Sequence, residues 1–259
     1  MAKRDIPEIN AGSMADIAFL LLLFFLVTTT MDKDQAYIRK IPKKIDIPPT
    51  DVKIQERDIL AIKANNQDIM VRDSIFSDAS KISEFILKFY LTNEKNNKIE
   101  NNFPMYSTTT LSLCDQNMAL LDKQIEEAEQ RNNKDLLKFF EDSYKQWDKK
   151  KRAIKLYGKS EIRELSSQAH IRIEVQYETP YNILTTIHNE IEKAIFELRD
   201  KECTRLFSED YSILKRRAES QSQDKNQTEE GRLAKEAKDK VDLLEILYPA
   251  RIIEVNPKN

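Results

Sequence analysis

Residues 13–31 read SMADIAFLLLLFFLVTTTM, with an unbroken apolar run from Ile17 to Val27 and one carboxylate, Asp16, against its first residue. This stretch constrains the chain more than any other. From Met14 to Met31 there are 18 residues and a single charge. At about 1.5 Å per residue a helix over them reaches about 27 Å, close to the thickness of a hydrocarbon core. A cleaved signal peptide would place basic residues first, as Lys3 and Arg4 are, but would end in a small-residue cleavage site, and TTTMDKDQ has none. A soluble helix is rarely apolar on every side. A single transmembrane helix over 14–31 is therefore expected, after a short segment at 1–13.

Orientation is less direct. Lys3 and Arg4 precede the run, while Lys33, Arg39, Lys40, Lys43 and Lys44 follow it. Taken alone this bias argues against a cytoplasmic N-terminus, but long domains translocate despite local charge.

Asp16 has two readings. In one, Ser13 is the helix N-cap and Asp16 sits three residues on, in a capping-box arrangement favoured by the helix dipole. In the other, Asp16 is a proton site, because an ionisable group at the edge of a span is a functional hypothesis by default. Burial would raise its pKa and the helix start would lower it. The two readings do not exclude one another.

The remaining composition excludes more than it identifies. Net charge is −2 with 33% charged residues, so no nucleic-acid partner is expected on electrostatic grounds. Three glycines leave no room for Gly-rich phosphate loops. Cys114 and Cys203 cannot form a disulfide framework. One bridge between them is allowed in an oxidising compartment, and two isolated thiols are the favoured reading. His170 and His188 are expected to be structural rather than metal-binding. No catalytic constellation, cofactor site or metal site stands out, and no enzyme is expected.

Residues 32–57 hold three prolines and alternating charge, and read as an extended linker. A compact domain over 58–259 follows. DILAIKANNQDIMVRDS reads as two short strands around a polar turn at Asn65–Asp68. The next helix has Asp78 as its N-cap and Ile82, Phe85, Ile86 and Phe89 on one face. HIRIEVQY alternates, placing Ile171, Ile173, Val175 and Tyr177 on one side and His170, Arg172, Glu174 and Gln176 on the other. A helix after Pro180 lines up Leu184, Ile187, Ile191, Ala194, Ile195 and Leu198, and ARIIEVNP closes as a strand. The order β-β-α-β-α-β predicts a small α+β sheet with helices on one face.

Segment 100–165 interrupts that order as a helical hairpin turning at Asn132–Asn133, with Leu136, Leu137, Phe140, Tyr144 and Trp147 on one face. Packing on the sheet is the favoured role, and docking a partner or the cell wall is the other. Residues 219–240 read as a polar loop or solvated helix.

The N-terminal stretch resembles the ExbD/TolR family of biopolymer-transport proteins. That family has the pattern acid-x-Asn-x-Thr-Pro-x-x-Asp running into a single span. EINAGSMADIAFLLLLFFLV supplies Glu8, Asn10 and Asp16 at matching spacing, with Gly12 and Ser13 in place of Thr-Pro. The resemblance implies an inner-membrane, single-pass protein with a cytoplasmic N-terminus and a periplasmic domain of the order just described. It implies a homodimer whose spans sit inside an ExbB-like pentameric ring and pass motion to a TonB-like protein. It also implies that Asp16 handles the proton, with Asn10, Ser13, Thr28 and Thr29 as supporting residues. The alternative is a membrane-anchored scaffold, or a TolR-like peptidoglycan binder, with Asp16 as a cap only.

Overall fold

The computed structural model describes residues 11–29, 55–95, 99–220 and 229–255. The chain divides into two compact units, Met1–Pro48 and Pro49–Asn259. The first contains helix α1, Ala11–Thr29. Most of the 32–57 linker lies outside the described residues.

The second unit is mixed α+β. Strands β1 (Ile59–Ala64), β2 (Ile69–Val71) and β3 (Ser74–Phe76) open it, followed by α2 (Ile82–Leu91). The β1–β2 turn closes on Asn65, whose side-chain oxygen accepts from the backbone N–H groups of Gln67 (2.8 Å) and Asp68 (2.7 Å). This is the polar turn the sequence indicates, held by a local side-chain mimic of a backbone turn. Strand β3 is not apparent in the sequence. It is three residues long, follows a turn without glycine, and forces Arg72 to φ 54°. Asp78 caps the 3-10 turn Ala79–Lys81 that leads into α2 by accepting from the Ser80 N–H.

Strand β6 (His170–Val175) pairs parallel to β1, with Ile59 opposite His170 and Ala64 opposite Val175. Helices α5 (Tyr181–Phe207), α6 (Tyr211–Glu219) and α7 (Glu229–Leu247) lead to β7 (Ile252–Val255), parallel to β6. The sheet order is β3-β2-β1-β6-β7. One face carries Leu60, Ile62, Ile69, Val71, Ile171 and Ile173, all buried against Ile82, Ile86 and Phe89 of α2 and Ile187, Ile191 and Ile195 of α5. Tyr177, expected to continue the inward set, lies past the end of β6 and is exposed.

The insertion is more than a hairpin. Helices α3 (Leu111–Gln130) and α4 (Lys134–Tyr157) are flanked by β4 (Tyr106–Thr110) and β5 (Glu161–Leu165), which pair antiparallel as a separate sheet. Thr110 caps α3, Asn133 caps α4, and Gly158 ends α4 at φ 70°. The turn falls at Asn132–Asn133 as expected. The packing does not. Rather than lying on the five-stranded sheet, α4 packs on its hairpin partner α3 and, outside the hairpin, chiefly on α7. The basic run of α4 explains why: Lys149 reaches Asp242 and Glu245 at 2.9 Å each, and Arg152 reaches Asp239 at 2.5 Å.

Residues 229–247 are accordingly neither loop nor fully solvated helix. Ala234, Ala237, Val241 and Leu244 recur every three or four positions and are buried. The small alanines hide this stripe among the charges, and it packs with Cys203, Tyr211 and Leu214 in a second core.

Replacing Ile191 by Ala should destabilise this domain by about 2–5 kcal/mol, the usual cost of emptying a packed Ile site. Ile75→Ala, on the opposite and exposed face, should change stability by under about 0.5 kcal/mol. Chemical denaturation followed by circular dichroism separates them, and equal effects would contradict the assignment of faces.

Candidate proton site and its supporting domain

Helix α1 begins at Ala11, so Ser13 is its third residue and Asp16 its sixth. This corrects the capping expectation. A helix that has started before Ser13 takes no N-cap from it, and Asp16 lies beyond the first turn, where the dipole effect has largely fallen off. Asp16 is the one ionisable residue in Ala11–Thr29. Its neighbours one turn on are Phe19 and Leu20, and the apolar side chains from Met14 to Phe25 remain 41–64% exposed on every side of the helix. Such a surface calls for apolar surroundings. Thr28 and Thr29 close the helix, and Asn10 lies outside the described residues. Among the described residues no helix is long and apolar enough to cross a membrane.

The domain carries a buried polar network where the insertion leaves and rejoins the core. Tyr106 Oη donates to the Tyr90 carbonyl (2.7 Å), Tyr248 Oη donates to Glu94 Oε1 (2.8 Å), and Tyr90 Oη donates to the Pro249 carbonyl. Arg199 holds the Tyr248 carbonyl through Nε (3.0 Å) and Nη2 (2.8 Å). Burial raises the pKa of all three phenols, most simply by excluding water from the phenolate, so they stay neutral donors. Asn93, 3% exposed, donates to the carbonyls of Glu100, Phe103 and Pro104. These bonds fix how the insertion is mounted. None of these residues stands out in the sequence, because their partners are backbone carbonyls or, for Tyr248, a carboxylate 154 residues away, and neither leaves a periodic signal.

Both histidines are structural in position. His170 Nδ1 lies 2.7 Å from the Gln168 carbonyl, and His188 Nε2 lies 2.9 Å from Glu254 Oε1 on β7. Among the described residues no group of three or more His, Cys, Asp or Glu is placed to hold a metal ion. Cys114 and Cys203 are free thiols, both fully buried, in different apolar clusters. The favoured reading of two isolated thiols holds.

With this geometry in place, the chain can be set beside known proteins. It matches the family of the biopolymer transport protein ExbD/TolR over residues 2–198. The chain belongs to that family. The match runs from ahead of α1 through the first two-thirds of α5, and α6, α7 and β7 lie beyond it. No curated protein and no solved structure matches the chain. The family is one of membrane-anchored accessory subunits in biopolymer transport, which work with ExbB/TolQ-type and TonB/TolA-type partners.

Burial lifts the Cys114 thiol and pushes the Cys203 thiol up to about 11. The folded chain should therefore show no reaction with a thiol reagent at pH 8, and two thiols per chain after denaturation. Reaction in the native state would place a thiol at the surface, and fewer than two after denaturation would indicate a bridge.

Proposed function

We propose that this chain is an ExbD-like subunit of an inner-membrane stator that uses the proton-motive force to power TonB-type outer-membrane transport. Asp16 is its proton carrier. The observation that carries this reading is the position of Asp16: a lone carboxylate inside an apolar helix, past the turn where capping would explain it.

The chemistry follows from that placement. Residues 14–31 form the span, with residues 1–13 cytoplasmic and the domain periplasmic. At the edge of the hydrocarbon the charged and neutral forms of a carboxyl group are separated by a large desolvation term. Loading a proton lets the acid face an apolar seam, and releasing it calls for water or a polar partner. Alternating the two surroundings moves the helix against its neighbours. One charge crossing 100 mV releases about 2.3 kcal/mol, so a few protons per step can repack an interface. Two copies of the chain within an ExbB-like pentameric ring supply that seam, and a TonB-like protein receives the motion. Asn10, Ser13, Thr28 and Thr29 bracket the span as its polar ends.

The family also includes TolR-type chains, and the domain is large enough to serve as a scaffold or peptidoglycan binder. That reading needs Asp16 only as a cap, and a helix starting at Ala11 disfavours it.

Asp16→Asn separates the two. Asn is nearly isosteric but cannot carry a proton. The variant should co-purify with its ring partner as wild type does, while proton-gradient-dependent uptake falls to background. Wild-type uptake by the variant would remove Asp16 from the mechanism and leave the scaffold reading.

A further inference from the structure

Strands β1, β6 and β7 run parallel. Purely parallel sheets are found almost only with both faces covered, whereas a mixed sheet such as this one can leave a face free for a partner. Here helices α2 and α5 cover one face. Among the described residues the other lies open as a groove of about 810 Å³.

The register sets out what this face presents. Ile75 on β3 stands beside Met70 on β2, Lys63 on β1, Glu174 on β6 and Val255 on β7, one residue per strand across the whole sheet. Four gaps of about 4.8 Å make this row about 19 Å long. Its two ends are apolar: Ile75 is 68% exposed and Val255 37%. Ile253, on the same side of β7 one pleat away, is 48% exposed. The middle is charged. Glu174 sits between Lys63 Nζ at 3.7 Å and Arg172 Nε at 2.6 Å, so one carboxylate faces two cations. The Arg172 contact brings the charges together without hydrogen-bond alignment, and its Nε is buried with no acceptor. Asp68, at the margin of the groove, is turned towards Ser77 Oγ at 3.4 Å.

We propose that this open face docks an amphipathic helix of a partner protein, lying across the strands, with apolar side chains at both ends of the contact and a carboxylate between them. The apolar ends match Ile75–Met70 and Val255–Ile253. The carboxylate completes the charge of the Lys63–Glu174–Arg172 group, in which two cations face one anion. A contact about 19 Å long corresponds to about thirteen residues of helix. A helix fits better than a strand because a strand would add to an edge and leave the face uncovered.

The test uses the full chain in lipid nanodiscs, with Ile75→Cys carrying an environment-sensitive fluorophore, the two native thiols being buried. The probe is a synthetic eighteen-residue amphipathic helical peptide with Leu near both ends and Glu at its centre. Its control is the same peptide with Lys at the centre. The Glu peptide should give a saturable blue shift and bind at least tenfold tighter than the Lys peptide. Lys63→Glu should abolish or reverse that preference, and Arg172→Glu should do the same. If Arg172→Glu fails to fold, Lys63→Glu, at a half-exposed position, still decides the matter. Absence of saturable binding, or equal affinity for the two peptides, overturns the proposal. A blue shift that grows with protein concentration and needs no peptide assigns the face to a second copy of this chain and also overturns it. A shift that follows the nanodisc lipid content assigns it to a lipid surface, with the same consequence.

Discussion

The parallel pairing of β1 with β6 is the contact on which the domain depends. It joins residues 59–64 to residues 170–175 across more than a hundred positions of chain. Leu60 and Ile62 then share one buried face with Ile171 and Ile173, and α2 and α5 have something to pack on. A parallel pair needs a crossover rather than a tight turn, so the chain must leave the sheet between β3 and β6. The insertion occupies that excursion. It can be long because loop-closure entropy grows slowly with length, and because a network of buried tyrosines and Asn93 ties its two ends to the core.

Much of this was legible from residue pattern. The α2 face, the alternation of β6 and the stripe of α5 are periodic signals carried by large apolar residues, the β1–β2 turn is marked by Asn65–Asp68, and all are where the pattern puts them except Tyr177, which lies past the end of β6. The α3–α4 turn at Asn132–Asn133 was readable from two turn-forming residues between helical stretches. What escaped was of two kinds. Short strands such as β3 and β4 have too few residues for a period to show. Helix α7 buries alanines, which carry little hydrophobic signal, and its docking on α4 is decided by ion pairs between residues about ninety positions apart. At Asp16 the sequence showed the anomaly and left two explanations standing. The start of α1 two residues ahead of Ser13 removes the Ser13 capping box at the level of backbone, because capping belongs to the first turn, and leaves the proton role to experiment.

The two units pose opposite physical problems. The domain largely solves its own: most of its aliphatic residues pack in buried clusters, and ion pairs bridge α4 to α7. The α1 unit does not. In helix α1, Phe19, Leu20 to Leu23, Phe24 and Phe25 are exposed on all sides, and the one charge between Ala11 and Thr29 is Asp16. Such a helix takes its stability from what surrounds it, and the cost of a carboxylate there is met only where a proton, water or a polar partner is at hand. The proposed proton role links the protonation of that acid to the position of the helix. Membership of the ExbD/TolR family sets the chain among biopolymer-transport subunits that work with ExbB/TolQ-type and TonB/TolA-type partners.

The most direct test of the account is the protonation of Asp16 itself. Infrared difference spectroscopy of the assembled complex, with carbon-13 labelled aspartate and Asp16→Asn as the blank, reads the carboxyl band as the proton gradient is imposed and collapsed. The account predicts a protonated-carboxyl band that rises and falls with the gradient and is missing from the variant. A carboxylate that stays ionised under both conditions would contradict it.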